Sequence, residues 1–137
     1  MNVAEALAGR MIGSPAGDFV IAEWTDEGGG SDTPTPIAPL HVHHSDDEAW
    51  YVLEGTLGFQ LGDKEIVAPA GSAVFAPRGL PHTYWNATAE RARYAIVMTP
   101  NLMRLIEALH ATADRDPETM RRLFERYDSE LLGSAVL

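Results

Sequence analysis

The sequence has no cysteine, no long hydrophobic run and few basic residues. The lack of cysteine excludes disulfides, thiolate metal ligands and iron–sulfur clusters, and it fits a reducing compartment. No stretch approaches the roughly 18 apolar residues of a membrane-spanning helix. The N-terminus shows neither the basic region nor the apolar run of a signal peptide. We therefore expect a cytoplasmic protein with no membrane partner.

Positive charge is also scarce. The chain carries 20 acidic and 10 basic residues, which gives a formal net charge of −10. This charge repels nucleic-acid backbones and anionic lipids, so we expect no nucleic-acid partner, although the charge identifies no partner. With 137 residues, 45% of them hydrophobic, the chain is long enough for one domain with its own core.

Three of the five histidines and one glutamate lie in two short segments, at positions that could share one ion. His41 and His43 are two positions apart, so on a β-strand their side chains point to one face, about 7 Å apart. Glu48 follows a polar run at residues 44–47, where a turn or bulge would reset its direction. His82 begins a later strand after a proline-rich turn, and its ring would return to the same point from across a barrel. The spacing predicts one shared metal site.

Three imidazoles and one carboxylate suit a borderline divalent metal, namely iron(II), manganese, nickel, cobalt, zinc or copper. A closed structural zinc site fits less well, because such sites favour cysteine. We predict that His41, His43, Glu48 and His82 bind one such ion, whose identity the sequence leaves open. His44 alternates away from the pair, and we expect it at the surface or rim.

These residues carry a resemblance to the cupin superfamily, in its small single-domain, cupin 2 type. The first cupin motif, G-x5-H-x-H-x(3,4)-E-x6-G, is matched from His41 to Gly55, except that Thr35 replaces the opening glycine. The second motif, G-x5-P-x-G-x2-H-x3-N, is matched in full by Gly71, Pro77, Gly79, His82 and Asn86. The resemblance covers about two-thirds of the chain and implies a metal ion held inside the barrel by the four predicted ligands.

The resemblance implies a mainly all-β fold, a single antiparallel cupin β-barrel or jelly roll with a C-terminal helical tail. We expect an N-terminal arm at residues 1–18, the barrel at 19–99, and helices at 100–137 that pack on the barrel or on a partner. A loop rich in glycine and proline is expected from Thr25 to Pro36. In cupin-like folds an N-terminal arm of this kind can pair with a neighbouring subunit, so we expect a homodimer.

Local patterns predict the individual elements. Residues 56–61 alternate as a strand, and a hairpin turn follows at Gly62. Thr99 and Pro100 have the residue types of a helix N-terminus. A second helix is predicted to begin at Asp116, to carry apolar residues on one face through Leu131, and to stop at Gly133.

Strand alternation also predicts a ligand pocket. Trp50 and Tyr84 share a face with the metal ligands on their strands, and Phe59, Phe75 and Met98 are expected as further wall residues. Such a pocket suits a flat, weakly polar substrate or ligand better than a sugar phosphate. The alternative is that these aromatic residues only fill the barrel, as side chains do in most small barrels.

The pattern favours an enzyme, a metal-dependent dioxygenase with Glu48 as general base on an enolisable or aromatic substrate. Residues 126–133 resemble the tail of quercetinase-type dioxygenases, which supports this interpretation. Two alternatives remain open: a protein that only binds a metal or small ligand, and a non-redox metal isomerase or lyase.

Overall fold

The computed structural model describes residues 7–28 and 35–133, which form ten strands and two helices. The strands are β1 (Met11–Gly13), β2 (Val20–Asp26), β3 (Pro36–His43), β4 (Glu48–Glu54), β5 (Thr56–Leu61), β6 (Lys64–Pro69), β7 (Ala73–Ala76), β8 (His82–Asn86), β9 (Ala92–Met98) and β10 (Ser129–Leu131). The helices are α1 (Pro100–Ala111) and α2 (Pro117–Arg126). Neither helix is long and apolar enough to cross a membrane within this described part.

The strands form two antiparallel five-stranded sheets. Sheet A has the order β1-β2-β9-β4-β7, and sheet B has the order β10-β3-β8-β5-β6. One cluster of buried apolar side chains joins the two sheets and both helices. The predicted fold class, a mainly β barrel with C-terminal helices, is confirmed.

The core follows from strand alternation. Glu48, Trp50 and Val52 of β4 are buried, while the residues between them are more exposed. Leu57 and Phe59 of β5 are fully buried, as their predicted alternation requires. Each such apolar side chain contributes about 1.5–3 kcal/mol when it leaves water. The barrel therefore has a core that does not depend on a metal ion.

The polar run at residues 44–47 carries the chain from sheet B to sheet A. β3 ends at His43, and β4 begins at Glu48 in the opposite sheet. Two carboxylates of the run anchor it: Asp46 accepts a hydrogen bond from Thr99 Oγ1 at 2.7 Å, and Asp47 accepts one from the backbone N–H of Arg78 at 2.9 Å. The predicted reset of side-chain direction is achieved by this change of sheet.

Two glycines of the motifs adopt left-handed backbone conformations. Gly55 has a φ of 77°, and a Cβ there would lie 2.4 Å from the carbonyl oxygen of Arg91. Gly79 has a φ of 84° but open space around it, and its N–H donates to the carbonyl of His43 at 2.8 Å. Conformation therefore requires glycine at both turns, and close packing requires it additionally at Gly55.

Both helices begin as predicted. Thr99 caps α1, where its side chain accepts a hydrogen bond from the backbone N–H of Leu102, and Pro100 is the first helical residue. Asp116 caps α2, and Pro117 follows it. The described N-terminal part begins at residue 7, and its strand β1 pairs with β2 to form one edge of sheet A. Residues 29–34 of the predicted loop lie outside the described residues.

The predicted end of the second helix is wrong. α2 ends at Arg126, and β10 then pairs antiparallel with β3, with Ser129 opposite His43. Asp128 adopts a φ of 54°, which turns the chain between the two elements. The apolar spacing of Leu131 fits a helix, but β3 offers a sheet edge whose backbone groups need partners.

The predicted position of Phe75 in the pocket wall is also wrong. Phe75 is 57% exposed, because β7 directs Val74 and Ala76 inward instead. Its ring lies on the outer face of sheet A, in the same cross-strand row as Val97 and Ile21. β7 has only four residues, and so short a pattern does not show which of its faces points inward.

Candidate metal site

Four buried side chains converge between the two sheets. Nitrogen and oxygen atoms of His41, His43, Glu48 and His82 all lie within 4.8 Å of one another. The two histidines of β3 are joined by His82 of β8, which stands directly opposite His41 in sheet B. Glu48 comes from β4 in sheet A. The four predicted ligands therefore meet, but the one that crosses the barrel is Glu48 and not His82.

Hydrogen bonds on the outer side of the cluster fix the tautomers of two rings. His41 Nδ1 lies 2.6 Å from the carbonyl oxygen of Pro39, and His82 Nδ1 lies 2.9 Å from that of Leu80. A carbonyl oxygen only accepts, so each Nδ1 carries the hydrogen. In the neutral rings, both Nε2 atoms consequently present lone pairs to the centre.

The third ring is held by a side chain from the C-terminal strand. His43 Nδ1 lies 2.7 Å from Ser129 Oγ, and both residues are buried. Ser129 Oγ donates its own hydrogen to the carbonyl oxygen of Tyr127 at 3.3 Å. It therefore accepts from His43 Nδ1, which leaves the Nε2 lone pair of His43 directed at the cluster.

The inner contacts of the cluster favour a cation. Nε2 of His41 and Nε2 of His43 are 3.1 Å apart, and Nε2 of His82 is 3.2 Å from Glu48 Oε1. With the hydrogens on Nδ1, lone pairs face each other in both contacts. One proton relieves one such contact, whereas one divalent cation attracts all four donors together. This donor set fits a borderline divalent metal.

Burial and mutual proximity shift the pKa values in the cluster. Burial and the imidazoles of His43 and His82 lower the pKa of His41 from 6.5 to about 3. Burial alone would raise the pKa of Glu48, but hydrogen bonds from the protonated forms of His43 and His82 outweigh it and leave the pKa far below its usual value. Burial opposes a charge on His82, yet its bond to Glu48 raises its pKa above 6.5. The carboxylate therefore stays ionised.

A cavity of about 370 Å³ opens beside the cluster, and His41, His43 and Glu48 form part of its wall. The two C-terminal helices close the other side with mostly aliphatic side chains. The ring of Phe124 from α2 lies 5.6 Å from that of His41. Besides these three predicted ligands, the polar residues among the described wall residues are Thr25, Asp26, Tyr84, Tyr94, His110 and Arg115.

The predicted pocket residues separate into three groups. Tyr84 borders the cavity. Trp50, Phe59 and Met98 are almost fully buried in the adjoining core, where the rings of Trp50 and Phe59 are 5.1 Å apart. These three residues match the alternative expectation that aromatic and apolar side chains fill the barrel. Phe75 lies outside, as described above.

Several functional positions have no counterpart in the sequence prediction. Ser129 supports a metal ligand, Tyr94 borders the cavity, and α1 forms a wall. His110 also borders the cavity and has its ring 5.5 Å from that of Trp24. His44 is half-exposed, as expected, and contacts Glu130. The one available signal for Ser129 was its place within the tail match at residues 126–133.

The fold and the cluster together define a small antiparallel β-barrel protein with a candidate histidine–glutamate metal site. The model of the cupin domain family matches residues 22–98, more than half of the chain. The chain therefore belongs to the cupin family. No curated protein sequence matches it significantly.

Solved structures show the same fold. A protein from Thermus thermophilus is 28% identical over 65% of this chain and 77% of its own, with a TM-score of 0.54. A protein with a double-stranded β-helix domain from Klebsiella pneumoniae is 26% identical over 61% and 68%, with a TM-score of 0.51. A sugar phosphate isomerase of the cupin superfamily from Silicibacter pomeroyi is 25% identical over 61% and 51%, with a TM-score of 0.52.

Proposed function

We propose that this cupin is a metal-dependent enzyme of the dioxygenase type, similar to quercetinases, that acts on a small aromatic or enolisable substrate. The observation that carries the proposal is the position of the ligand cluster. His41, His43 and Glu48 border a cavity whose walls are mainly apolar. Such a chamber with few polar groups is the usual form of a small-molecule site.

The metal, when bound, would polarise a substrate oxygen as a Lewis acid and, if redox-active, would allow chemistry with dioxygen. Glu48 borders the cavity, and its low pKa makes it a weak base. A weak base suits a substrate whose own hydroxyl is acidic, such as an enol or a phenol conjugated to a carbonyl. We expect Glu48 to accept that proton, and the apolar helical wall to exclude water from the site.

The polar wall residues bear on the substrate class. The described residues that border the cavity include no lysine, and their one arginine, Arg115, is exposed. Asp26 adds a carboxylate to the same wall. A phosphate group would need several buried cations, so the cavity favours a neutral or weakly acidic organic molecule.

A non-redox isomerase is the second candidate. It is favoured by the similarity to the Silicibacter pomeroyi sugar phosphate isomerase, of whose length this chain covers 51%. The same ligand cluster would serve such a reaction through Lewis-acid polarisation alone. A protein that only holds a metal or ligand is the third, and it predicts binding without turnover.

The deciding experiment is reconstitution of metal-stripped protein with iron, nickel, manganese, cobalt or zinc, each tested in an oxygen electrode with flavonols. We expect oxygen uptake with at least one redox-active metal and none with zinc. Glu48→Gln should abolish uptake, and Glu65→Gln, an exposed glutamate on β6, should not. Turnover of any substrate with zinc, without oxygen uptake, would favour the isomerase instead. Binding without turnover under all metals would contradict both enzymatic functions.

A further inference from the structure

A pair of tyrosine hydroxyls forms a second polar position in the cavity. Tyr84 comes from β8 in sheet B and Tyr94 from β9 in sheet A, and both border the cavity. Their hydroxyl oxygens are 3.1 Å apart, and the residues are only 7% and 2% exposed. The pair is thus an ordered feature of the barrel interior that is separate from the four candidate metal ligands.

One hydroxyl hydrogen of the pair lacks an acceptor in the described part of the chain. One tyrosine hydrogen bonds the other hydroxyl, and the second hydroxyl hydrogen has no acceptor among the described residues. The neighbouring indole N–H of Trp50, whose ring lies 5.5 Å from that of Tyr84, is a donor and cannot accept that hydrogen. Because buried donors are almost always satisfied, the unpaired hydroxyl hydrogen indicates an acceptor supplied from the cavity.

The pair lies at a defined offset from the metal ligands. Tyr84 follows His82 by two residues on β8, a separation of about 7 Å along the strand. Asp26 also borders the cavity, so its charge disfavours a carboxylate as the acceptor and favours a neutral oxygen.

We propose that the Tyr84–Tyr94 pair donates a hydrogen bond to a neutral oxygen of the ligand, such as a ketone carbonyl. This oxygen lies on the opposite side of the ligand from the oxygen that binds the metal. This inference rests on the proposed function, because it assumes that the ligand reaches the metal through the cavity. It adds a requirement on the substrate: a metal-binding oxygen at one end and a hydrogen-bond acceptor at the other.

The test compares two catechols that differ in that acceptor. Cobalt-loaded protein is titrated without oxygen with 3,4-dihydroxyacetophenone, which has the carbonyl, and with 4-ethylcatechol, which lacks it, and the visible cobalt spectrum reports binding. The variants are Tyr94→Phe and Tyr84→Phe, with Tyr51→Phe as a control, because Tyr51 is 49% exposed on the outer face. Thermal unfolding and the cobalt spectrum before titration establish that each variant is folded and loaded. If Tyr84→Phe does not fold, Tyr94→Phe carries the test.

We expect Tyr94→Phe to weaken binding of 3,4-dihydroxyacetophenone about fivefold and to change that of 4-ethylcatechol by less than about twofold. Tyr51→Phe should change neither. Equal effects on the two probes, or none, would overturn the role of the tyrosine pair and leave the proposed function standing. If neither catechol binds the cobalt-loaded wild-type protein, the metal-dependent cavity function itself is contradicted, and the tyrosine proposal falls with it.

Discussion

Ser129→Ala removes the hydrogen bond that orients His43, one of the four candidate metal ligands. In the wild-type protein, Ser129 Oγ accepts from His43 Nδ1 at 2.7 Å, and this bond keeps the Nε2 lone pair of His43 directed inward. Without the hydroxyl, His43 can move its hydrogen to Nε2, which is 3.4 Å from Glu48 Oε1. That tautomer stabilises the metal-free state, because His43 Nε2 then donates toward Glu48. It also removes the lone pair with which His43 would bind the metal.

The size of the effect follows from the buried position of the bond. Loss of a supporting partner of a metal-bound histidine typically weakens metal affinity about 10- to 100-fold, which corresponds to about 1.4–2.7 kcal/mol. Ser129 is 2% exposed and His43 is 4% exposed, so water replaces the missing acceptor poorly. We therefore expect a loss toward the upper part of this range.

The assay is titration of metal-stripped protein with zinc or cobalt against a chromophoric chelator. Ser45→Ala is the matched control, because Ser45 Oγ donates to the exposed Asp128 carboxylate and so tethers the same C-terminal segment without touching a ligand. We expect the affinity of the control to stay within about threefold of wild type. An unchanged affinity of Ser129→Ala, or an equal loss in both variants, would refute the tautomer argument.

Three further predictions concern the ligands and the fold. His82→Ala should lower bound metal from near one per chain to a small fraction while circular dichroism retains the β signal, and unchanged stoichiometry by elemental analysis would remove His82 from the site. Metal-free protein should lose stability as pH falls from 6.5 toward 3, by up to about 1.4 kcal/mol per pH unit, because the unfolded chain protonates His41 while the folded protein, where its pKa is about 3, does not. The depressed pKa of Glu48 adds a loss in the same direction below 4.5. The raised pKa of His82 acts in the opposite direction near pH 6.5 and adds no slope at lower pH, where the folded and unfolded states both bind its proton. Stability that stays flat from pH 6.5 to 3 in urea titrations would contradict the assignment. Gly55→Ala should destabilise the fold by clearly more than the roughly 1–2 kcal/mol expected for Gly79→Ala. Both glycines have a positive φ, but only at Gly55 would an added Cβ meet a backbone oxygen. Equal losses of unfolding free energy in chemical denaturation would refute the packing argument.

Much of the local structure could be predicted because it depends on short-range chemistry. Thr99 and Asp116 cap their helices with hydrogen bonds to backbone groups only two or three residues ahead. Residues 56–61 alternate in a way that only a half-buried strand satisfies. The metal-ligand types and spacings likewise stand in the sequence, since His41 and His43 share a strand face by geometry alone.

The errors have one cause, which is that distant elements compete for the same segment. The spacing of Leu131 is compatible with a helix, but the edge of β3 takes residues 129–131 as a strand. Phe75 is apolar, yet sheet pairing with β4 turns it outward. The sequence predicts that His82 reaches the site from across the barrel, whereas strand pairing sets it beside His41.

The sequence by itself determined the donor set, because coordination chemistry depends on residue types and on spacings within one strand or turn. The tertiary structure decided which sheet each ligand comes from, which outer partner fixes each imidazole tautomer, and what the cavity is made of. Ser129 lies 86 positions from His43, and the two hydroxyls of the tyrosine pair come from opposite sheets. Such contacts arise from the packing of the sheets and helices around one core, and no local pattern of residues encodes them.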